Sequence, residues 1–117
     1  MAILHIRSES EFNQSVLQAS GPVLVEFEAD WCGPCRQVAP LIAEIAHENA
    51  GRLTVTSVNI DRVPDMPEKY GVRGVPTFIL FNNGQAISTK VGSLPKSNLV
   101  KWIDSIINAT PLISDLE

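Results

Sequence analysis

The sequence is poor in cysteine and histidine and has no long apolar run. Its 117 residues include two cysteines and two histidines, so a structural zinc site with about four ligands would need all of them, although His5 and His47 lie far apart in sequence. Nowhere does an apolar run reach the roughly 18 residues of a membrane-spanning helix, and the first residues lack the basic segment and long apolar stretch of a secretory signal. We therefore expect a cytoplasmic protein that does not insert into a membrane.

Composition also narrows the size and the partners of the protein. With 117 residues, of which 44% are hydrophobic, the chain can bury one modest core and is predicted to form a single domain. The formal net charge is -4, and acidic and basic residues are interspersed, which argues against nucleic acid or an anionic membrane surface as the main partner. A small acidic domain without repeats or linkers is most simply a monomer.

Both cysteines lie where a predicted strand becomes a predicted helix. Residues 22–27 form a short apolar run rich in β-branched residues, which indicates a buried strand. Beyond the cysteines, apolar residues recur at the spacing of one helical face: Val38, Leu41, Ile42, Ile45 and Ala46. Cys32 and Cys35 are thus expected in the first helical turn, where unpaired N–H groups and partial positive charge favour a thiolate. Pro34 suits that turn because it lacks an N–H, and Gly33 leaves the sulfur approachable.

The rest of the chain alternates between strand and helix patterns. Strands are predicted at about 2–6, 23–29, 54–60, 77–81 and 85–91, and helices at about 8–18, 32–49, 65–70 and 94–108. The helix between the second and third strands makes those strands parallel, whereas an Asn-Gly turn at residues 82–84 indicates an antiparallel hairpin. We expect an α/β fold with one mixed five-stranded sheet, in the order βαβαβαββα, and helices on both faces. Residues 109–117 show no periodicity and are predicted to be a frayed tail outside a domain of residues 1–108.

The segment that holds the cysteines resembles the thioredoxin family. Trp31-Cys32-Gly33-Pro34-Cys35 is identical to the thioredoxin active-site motif, and further segments resemble thioredoxins in order and spacing: residues 59–61, 69–77, 81–84 and 91–92. The likeness covers roughly residues 3–107. It implies the thioredoxin fold and a general protein disulfide reductase with no bound cofactor. Its expected partners are a thioredoxin reductase, which supplies electrons, and disulfide-containing target proteins.

Three roles compete for the cysteine pair. A zinc site lacks ligands, because only Cys32 and Cys35 are close in sequence and the two histidines are far apart. An inert structural disulfide would close a very small loop at a helix start, where strain makes it reducible. We favour reversible dithiol–disulfide exchange, in which Cys32 attacks a substrate disulfide and Cys35 resolves the mixed disulfide. The intervening Gly-Pro, without histidine, fits a reductant better than an oxidase or isomerase.

Glu26 is the candidate proton acceptor for Cys35, which must lose its proton while substrate covers it. Along residues 23–28, the positions that include both glutamates alternate with wholly apolar positions, which also fits a strand with one solvent-exposed face and a solvated Glu26. A strand followed by a crossover helix should instead be central, and burial there would raise the pKa of the carboxyl toward neutral pH. The family usually has Asp at this place, and many members have Lys at the place of Ser57; loss of that cation should raise the Glu26 pKa further.

The resemblance also implies a substrate platform beside the cysteines. Thioredoxins have a cis proline that faces the disulfide, which predicts a cis Val75–Pro76 bond although trans is the ordinary expectation. Val75 would then offer backbone groups to an extended substrate segment. The remaining expected contacts are Trp31, Gly33, Pro34 and Gly92. Three charged residues, Asp61, Lys69 and Arg73, indicate no more than solvated surface charge.

Two alternatives to a general reductase stay open. Glu28 stands where the family commonly has Trp, so it is either an acid beside the active site that disfavours anionic substrates or a solvated strand end. Together with Glu26 and Ser57, Glu28 supports one alternative, a specialised reductase that acts on a narrower set of target proteins. The other alternative is a redox-independent binding subunit, in which the platform docks a partner and the thiols are incidental.

Overall fold

The structure, a computed structural model, describes residues 3–115, and for residues 109–115 it describes the backbone alone. The strands of this part of the chain are β1 (Ile3–Ile6), β2 (Pro22–Glu28), β3 (Thr54–Asn59), β4 (Thr77–Asn82) and β5 (Gln85–Val91). The helices are α1 (Glu9–Phe12), which continues as a π-helical segment (Asn13–Leu17), α2 (Gly33–Glu48), α3 (Asp65–Lys69) and α4 (Lys96–Asp115). The predicted order of elements is confirmed.

All described strands join one mixed sheet in the order β1-β3-β2-β4-β5. β2 pairs in parallel with β3 and antiparallel with β4, so the strand that leads to the cysteines lies at the centre, as its crossover helix predicted. The hairpin between β4 and β5 turns through Asn83 and Gly84, whose φ angles are 52° and 80°. Such left-handed angles are the reason that Asn-Gly is favoured there. The predicted α/β fold with a mixed sheet is therefore confirmed.

Each face of the sheet packs against its own pair of helices. The core under α2 and α4 includes Leu24, Val38, Ile42, Ile45, Val55, Phe78, Leu80, Leu99 and Ile103. The core under α1 and α3 includes Phe12, Val16, Val23, Val25, Phe27, Val58, Met66, Ile79 and Phe81. Because side chains alternate along a strand, Glu26 lies on the same face of β2 as Leu24. That face is the one covered by α2, which carries the cysteines.

The start of α1 shows how local side chains define a helix boundary. Ser8 Oγ accepts a hydrogen bond from the Glu11 backbone N–H over 3.1 Å. The Glu11 carboxylate in turn accepts one from the Arg7 backbone N–H over 2.8 Å. These two bonds satisfy donors that the first turn leaves unpaired.

The predicted end of the last helix was wrong. We expected it near residue 108, but α4 runs from Lys96 to Asp115. The segment after residue 108 lacks apolar periodicity, so we did not expect a helix there. A helix that has already been nucleated can nevertheless extend, because each added residue gains one backbone hydrogen bond. Residues 116 and 117 lie outside the described residues, and the domain boundary at residue 108 stays a prediction. Within the described ranges, no helix combines the length and apolar character needed to cross a membrane.

Candidate active site

Cys32 and Cys35 form a disulfide at the start of α2, with their Cα atoms 5.2 Å apart. Cys32 is the N-cap of the helix, and its sulfur accepts a hydrogen bond from the Cys35 backbone N–H over 3.1 Å. Pro34 lies in the first turn, as predicted. Only 3% of Cys32 and 5% of Cys35 is exposed. The helix N-terminus thus stabilises negative charge at Cys32, since a backbone donor points directly at its sulfur.

The loop before β4 and the end of β5 meet beside this disulfide. Cys32 Sγ lies 3.6 Å from the Val75 carbonyl oxygen, and the Val75–Pro76 bond is cis, as expected. The Gly92 N–H donates a hydrogen bond to the Pro76 carbonyl oxygen over 2.8 Å. Three of the residues expected at the platform are therefore joined to one another or to Cys32 by contacts between distant parts of the chain.

Trp31 is hydrogen-bonded to Asp61, a residue for which the sequence predicted no functional role. Its side chain is 65% exposed, and its Nε1 donates a hydrogen bond to Asp61 Oδ2 over 2.9 Å. Asp61 is itself held, because its backbone N–H donates to Asn59 Oδ1 over 2.9 Å. Asp61 is exposed, as expected of a surface charge, but its hydrogen bond to Trp31 was not predicted. The contact could have been predicted from the topology. Asp61 follows β3 and Trp31 follows β2, and neighbouring parallel strands end at the same edge of a sheet.

A second set of polar contacts holds the loop between β2 and α2. The Asn59 side-chain amide donates to Asp30 Oδ1 over 3.1 Å, and Arg36 Nη1 donates to the Asp30 carbonyl oxygen over 2.7 Å. Arg62 lies 3.7 Å from the Asp30 carboxylate. The residue that precedes Trp31 is thus tied to β3 on one side and to α2 on the other.

Glu26 is buried, with 5% of the residue exposed. It lines a cavity of about 290 Å³ together with Cys35, Glu28 and Ser57. Burial, and after it the negative charge of Glu28, raises the pKa of Glu26 from 4.5 to about 7. The interpretation of Glu26 as a buried carboxyl is confirmed, and the solvated alternative was wrong. The cavity gives Glu26 and Cys35 a common space on the α2 side of the sheet.

Glu28 ends β2 at the edge of the same cavity. It is partly buried, and its Oε2 accepts a hydrogen bond from the Ser57 hydroxyl over 3.3 Å. Two of the three positions at which the sequence departs from the motif it resembles, Glu28 and Ser57, therefore contact each other. Glu28 lines the same cavity as Glu26 and Cys35, and it is not a fully solvated strand end.

Ile60 was also missed as a site residue. Together with Val75 it packs against Ala29 and both cysteines. Beyond Val75 a groove of about 420 Å³ continues along the loop between α3 and β4, lined by residues that include Pro64, Pro67, Val72, Arg73 and Gly74. An isolated apolar residue after a strand is normally predicted to pack in the core. No local sequence pattern therefore indicates that Ile60 lies beside the cysteines.

Among the described residues, no group of three or more histidine, cysteine, aspartate or glutamate side chains is placed to hold a metal ion. The chemistry that the site offers is that of two thiols, a buried carboxyl and a helix N-terminus.

Comparison with known proteins agrees with this geometry. The family profile described as Thioredoxin matches residues 3–105. The chain is 47% identical over 100 residues to the thioredoxin of Rhodospirillum rubrum, a match that spans 86% of this chain and 96% of that protein. It is 49% identical over 100 residues to the thioredoxin of Pseudomonas aeruginosa, spanning 86% and 93%. A solved structure of a mutant thioredoxin from Halobacterium salinarum NRC-1 is similar with a TM-score of 0.82 and 31% identity, and the match covers 91% of each chain.

Proposed function

Since the chain belongs to the thioredoxin family, we propose that it reduces protein disulfides generally, with Cys32 as the nucleophile, Cys35 as the resolving thiol and Glu26 as the proton acceptor. The chain is a thiol–disulfide oxidoreductase of the thioredoxin type. The observation that supports this division of roles is the joint placement of the Cys32 sulfur at the N-cap of α2 and of Cys35 on the Glu26 cavity.

The first step uses Cys32. In the reduced protein its thiolate attacks one sulfur of a substrate disulfide, the substrate S–S bond breaks, and the second substrate sulfur leaves as a thiolate. The backbone N–H of Cys35 points at the Cys32 sulfur over 3.1 Å. A donor in that position stabilises the thiolate before attack, because the charged sulfur accepts a hydrogen bond better than the thiol does.

The second step uses Cys35 and Glu26. The Cys35 S–H bond breaks, its proton goes to the Glu26 carboxylate, and the Cys35 sulfur forms a bond to Cys32 while the mixed disulfide breaks. The substrate leaves with both sulfurs reduced, and the protein is oxidised by two electrons overall. A carboxyl whose pKa lies at about 7 suits this task, since the proton moves with little free-energy cost in either direction near neutral pH.

The substrate-contacting platform is proposed to consist of Trp31, Gly33, Pro34, Val75, Pro76 and Gly92. Val75 supports this role because its carbonyl oxygen lies 3.6 Å from Cys32 Sγ. A substrate segment laid along Val75 as an extra strand would bring its own disulfide to Cys32. The groove beyond Val75 leaves room for side chains of the same segment.

Electrons are proposed to come from a thioredoxin reductase in the cytoplasm, and the protein to act as a monomer without a bound cofactor or metal. The dithiol form of Cys32 and Cys35 carries the two electrons and becomes the disulfide when it gives them up, so the cycle needs no other redox group. A net charge of -4 does not favour nucleic acid or an anionic membrane as a partner.

Turnover of a protein disulfide tests this function. Wild type, Cys32→Ser and Cys35→Ser are supplied with NADPH and thioredoxin reductase, and reduction of insulin is followed. We expect rapid reduction by wild type, none by Cys32→Ser, and an accumulating mixed disulfide with Cys35→Ser, because that variant can attack but not resolve. Glu26→Gln should slow resolution without preventing mixed-disulfide formation.

The same variants separate the alternatives. A redox-independent binding subunit would retain its partner in Cys32→Ser, and wild type would not reduce insulin. A specialised reductase would be inactive on insulin although its disulfide is reduced chemically and re-oxidised by a particular target. Either result would contradict a general reductase.

A further inference from the structure

A second carboxyl shares the cavity of Cys35 and Glu26. Glu26 and Glu28 are two residues apart on β2 and therefore point to the same side of the sheet, and both line the cavity. Ser57 on β3 is opposite Glu26 in the parallel register. Nevertheless its hydroxyl donates to Glu28 Oε2, over 3.3 Å. The hydroxyl thus holds the second carboxyl at the cavity and does not serve Glu26.

Glu26 has little to stabilise its ionised form. It is 5% exposed, and among residues with described side chains none donates a hydrogen bond to its carboxyl. On β4 the residue opposite Glu26 is Phe78, which is fully buried and apolar. Burial therefore disfavours the ionised carboxyl, and any negative charge in the same cavity disfavours it further.

The other charged groups around the cavity are engaged elsewhere or exposed. From α2, Arg36 donates to the Asp30 carbonyl oxygen over 2.7 Å. The Asp30 carboxylate accepts from Asn59 and lies 3.7 Å from Arg62. From β1, His5 lines the cavity opposite Ser57 and is exposed. On the edge strand Lys90 is exposed, and Phe78 separates it from Glu26 in the register.

We propose that Glu28, held by Ser57, is a positioning residue that acts through Glu26 and moves to higher pH the range in which Glu26 accepts the proton of Cys35; the proton-accepting role itself is taken from the proposed function. The negative charge of Glu28 is the second cause, after burial, of the raised Glu26 pKa. The like charge opposes ionisation of Glu26, so fewer molecules hold the basic form at neutral pH, while each basic carboxylate binds the proton more tightly.

The effect on the resolving step follows from the proton balance. Glu26 can accept the Cys35 proton only when it is ionised, and the electron pair left on sulfur then forms the bond to Cys32. The rate should therefore rise with pH through the Glu26 titration. Removal of the Glu28 charge should move that rise to lower pH.

The test compares Glu28→Gln, Glu28→Asp and the matched control Glu44→Gln in the full chain. Glu44 lies on α2, is exposed, and pairs with Lys96, so its substitution makes the same change in net charge without touching the cavity. The pKa of Glu26 is read from its side-chain carboxyl ¹³C shift, and the resolving step from single-turnover reduction of a protein disulfide across the pH range.

Glu28→Gln should lower the Glu26 titration midpoint by about half to one pH unit and move the rate profile in the same direction. Glu28→Asp should keep most of the wild-type midpoint, and Glu44→Gln should leave both readouts unchanged. Ser57→Ala, which frees the Glu28 carboxyl, should give a smaller downward shift than Glu28→Gln.

An unchanged midpoint in Glu28→Gln, or an equal shift in Glu44→Gln, would overturn the role of Glu28. Failure of the proposed function looks different. In that case Glu26→Gln would not slow the resolving step, although the midpoint of Glu26 would still move in Glu28→Gln.

Discussion

The indole Nε1 of Trp31 donates a hydrogen bond to Asp61 Oδ2 over 2.9 Å. The bond joins the residue before Cys32 to the loop after β3, and it restrains a side chain that is 65% exposed. An exposed aromatic held in one orientation loses little further freedom when a substrate covers it. We therefore expect Asp61 to assist substrate binding through Trp31.

Asp61→Ala should lower kcat/KM for protein disulfides about two- to fivefold, because loss of a hydrogen bond to a charged acceptor costs about 1 kcal/mol at an exposed site. Trp31 fluorescence should change in the free protein. Asp104→Ala removes a partly exposed carboxylate, one that pairs with Arg52, and should affect neither readout. Equal losses in both variants would rule out a specific role of Asp61.

Glu26→Gln should stabilise the protein at high pH only. The Glu26 pKa is raised from 4.5 to about 7, so below pH 4.5 the carboxyl is protonated in both the folded and the unfolded chain and contributes no difference. As pH rises toward 7 the unfolded chain loses this proton first, which destabilises the folded state, and above 7 the penalty is constant. The amide carries no such penalty.

We expect the free energy of unfolding of Glu26→Gln to exceed that of wild type by about 3 kcal/mol near pH 9 and to match it near pH 4. Urea denaturation of the oxidised proteins at both pH values measures this difference. A gain that is the same at both values would show that packing, not ionisation, is responsible.

Ser57→Lys places a cation opposite Glu26 in the β2–β3 register. Attraction to an ammonium group favours the ionised carboxyl, so the Glu26 pKa should fall from about 7 toward its ordinary value. The ¹³C titration of Glu26 checks this result. Ser57→Met, which has a long side chain without charge and lacks the same hydroxyl as Ser57→Ala, is the control and should lower the pKa much less than Ser57→Lys does.

Gly84→Ala should be strongly destabilising. Gly84 has a φ of 80°, and a Cβ there would overlap the Leu17 carbonyl oxygen, so the substitution combines backbone strain with a steric clash. We expect a loss of about 2–4 kcal/mol in the free energy of unfolding.

Gly51→Ala separates the two causes. Gly51 has a φ of 88° but open space where a Cβ would lie, so that variant should lose only about 1–2 kcal/mol. Thermal or urea unfolding measures both proteins. Equal losses in the two variants would mean that the contact with Leu17 relaxes at no cost.

Much of the fold was predictable because its signals are local. The apolar run before the cysteines, the helical spacing after them and the Asn-Gly turn each depend on neighbouring residues, and they determined the order and type of the elements. Crossover geometry then made β2 central. The end of α4 at Asp115 was not predictable from apolar periodicity, since backbone hydrogen bonding can extend a nucleated helix whatever its side-chain pattern.

The sequence by itself determined the cysteine pair, its place at a helix start, and the strand that carries Glu26, because all three lie within one short segment. Only the tertiary structure decided which distant side chains meet there. Asp61 reaches Trp31, and Ser57 bonds to Glu28 although it faces Glu26. Such pairings depend on strand register and on the shape of a cavity between sheet and helix, and both arise from packing of the whole domain, which no local pattern encodes.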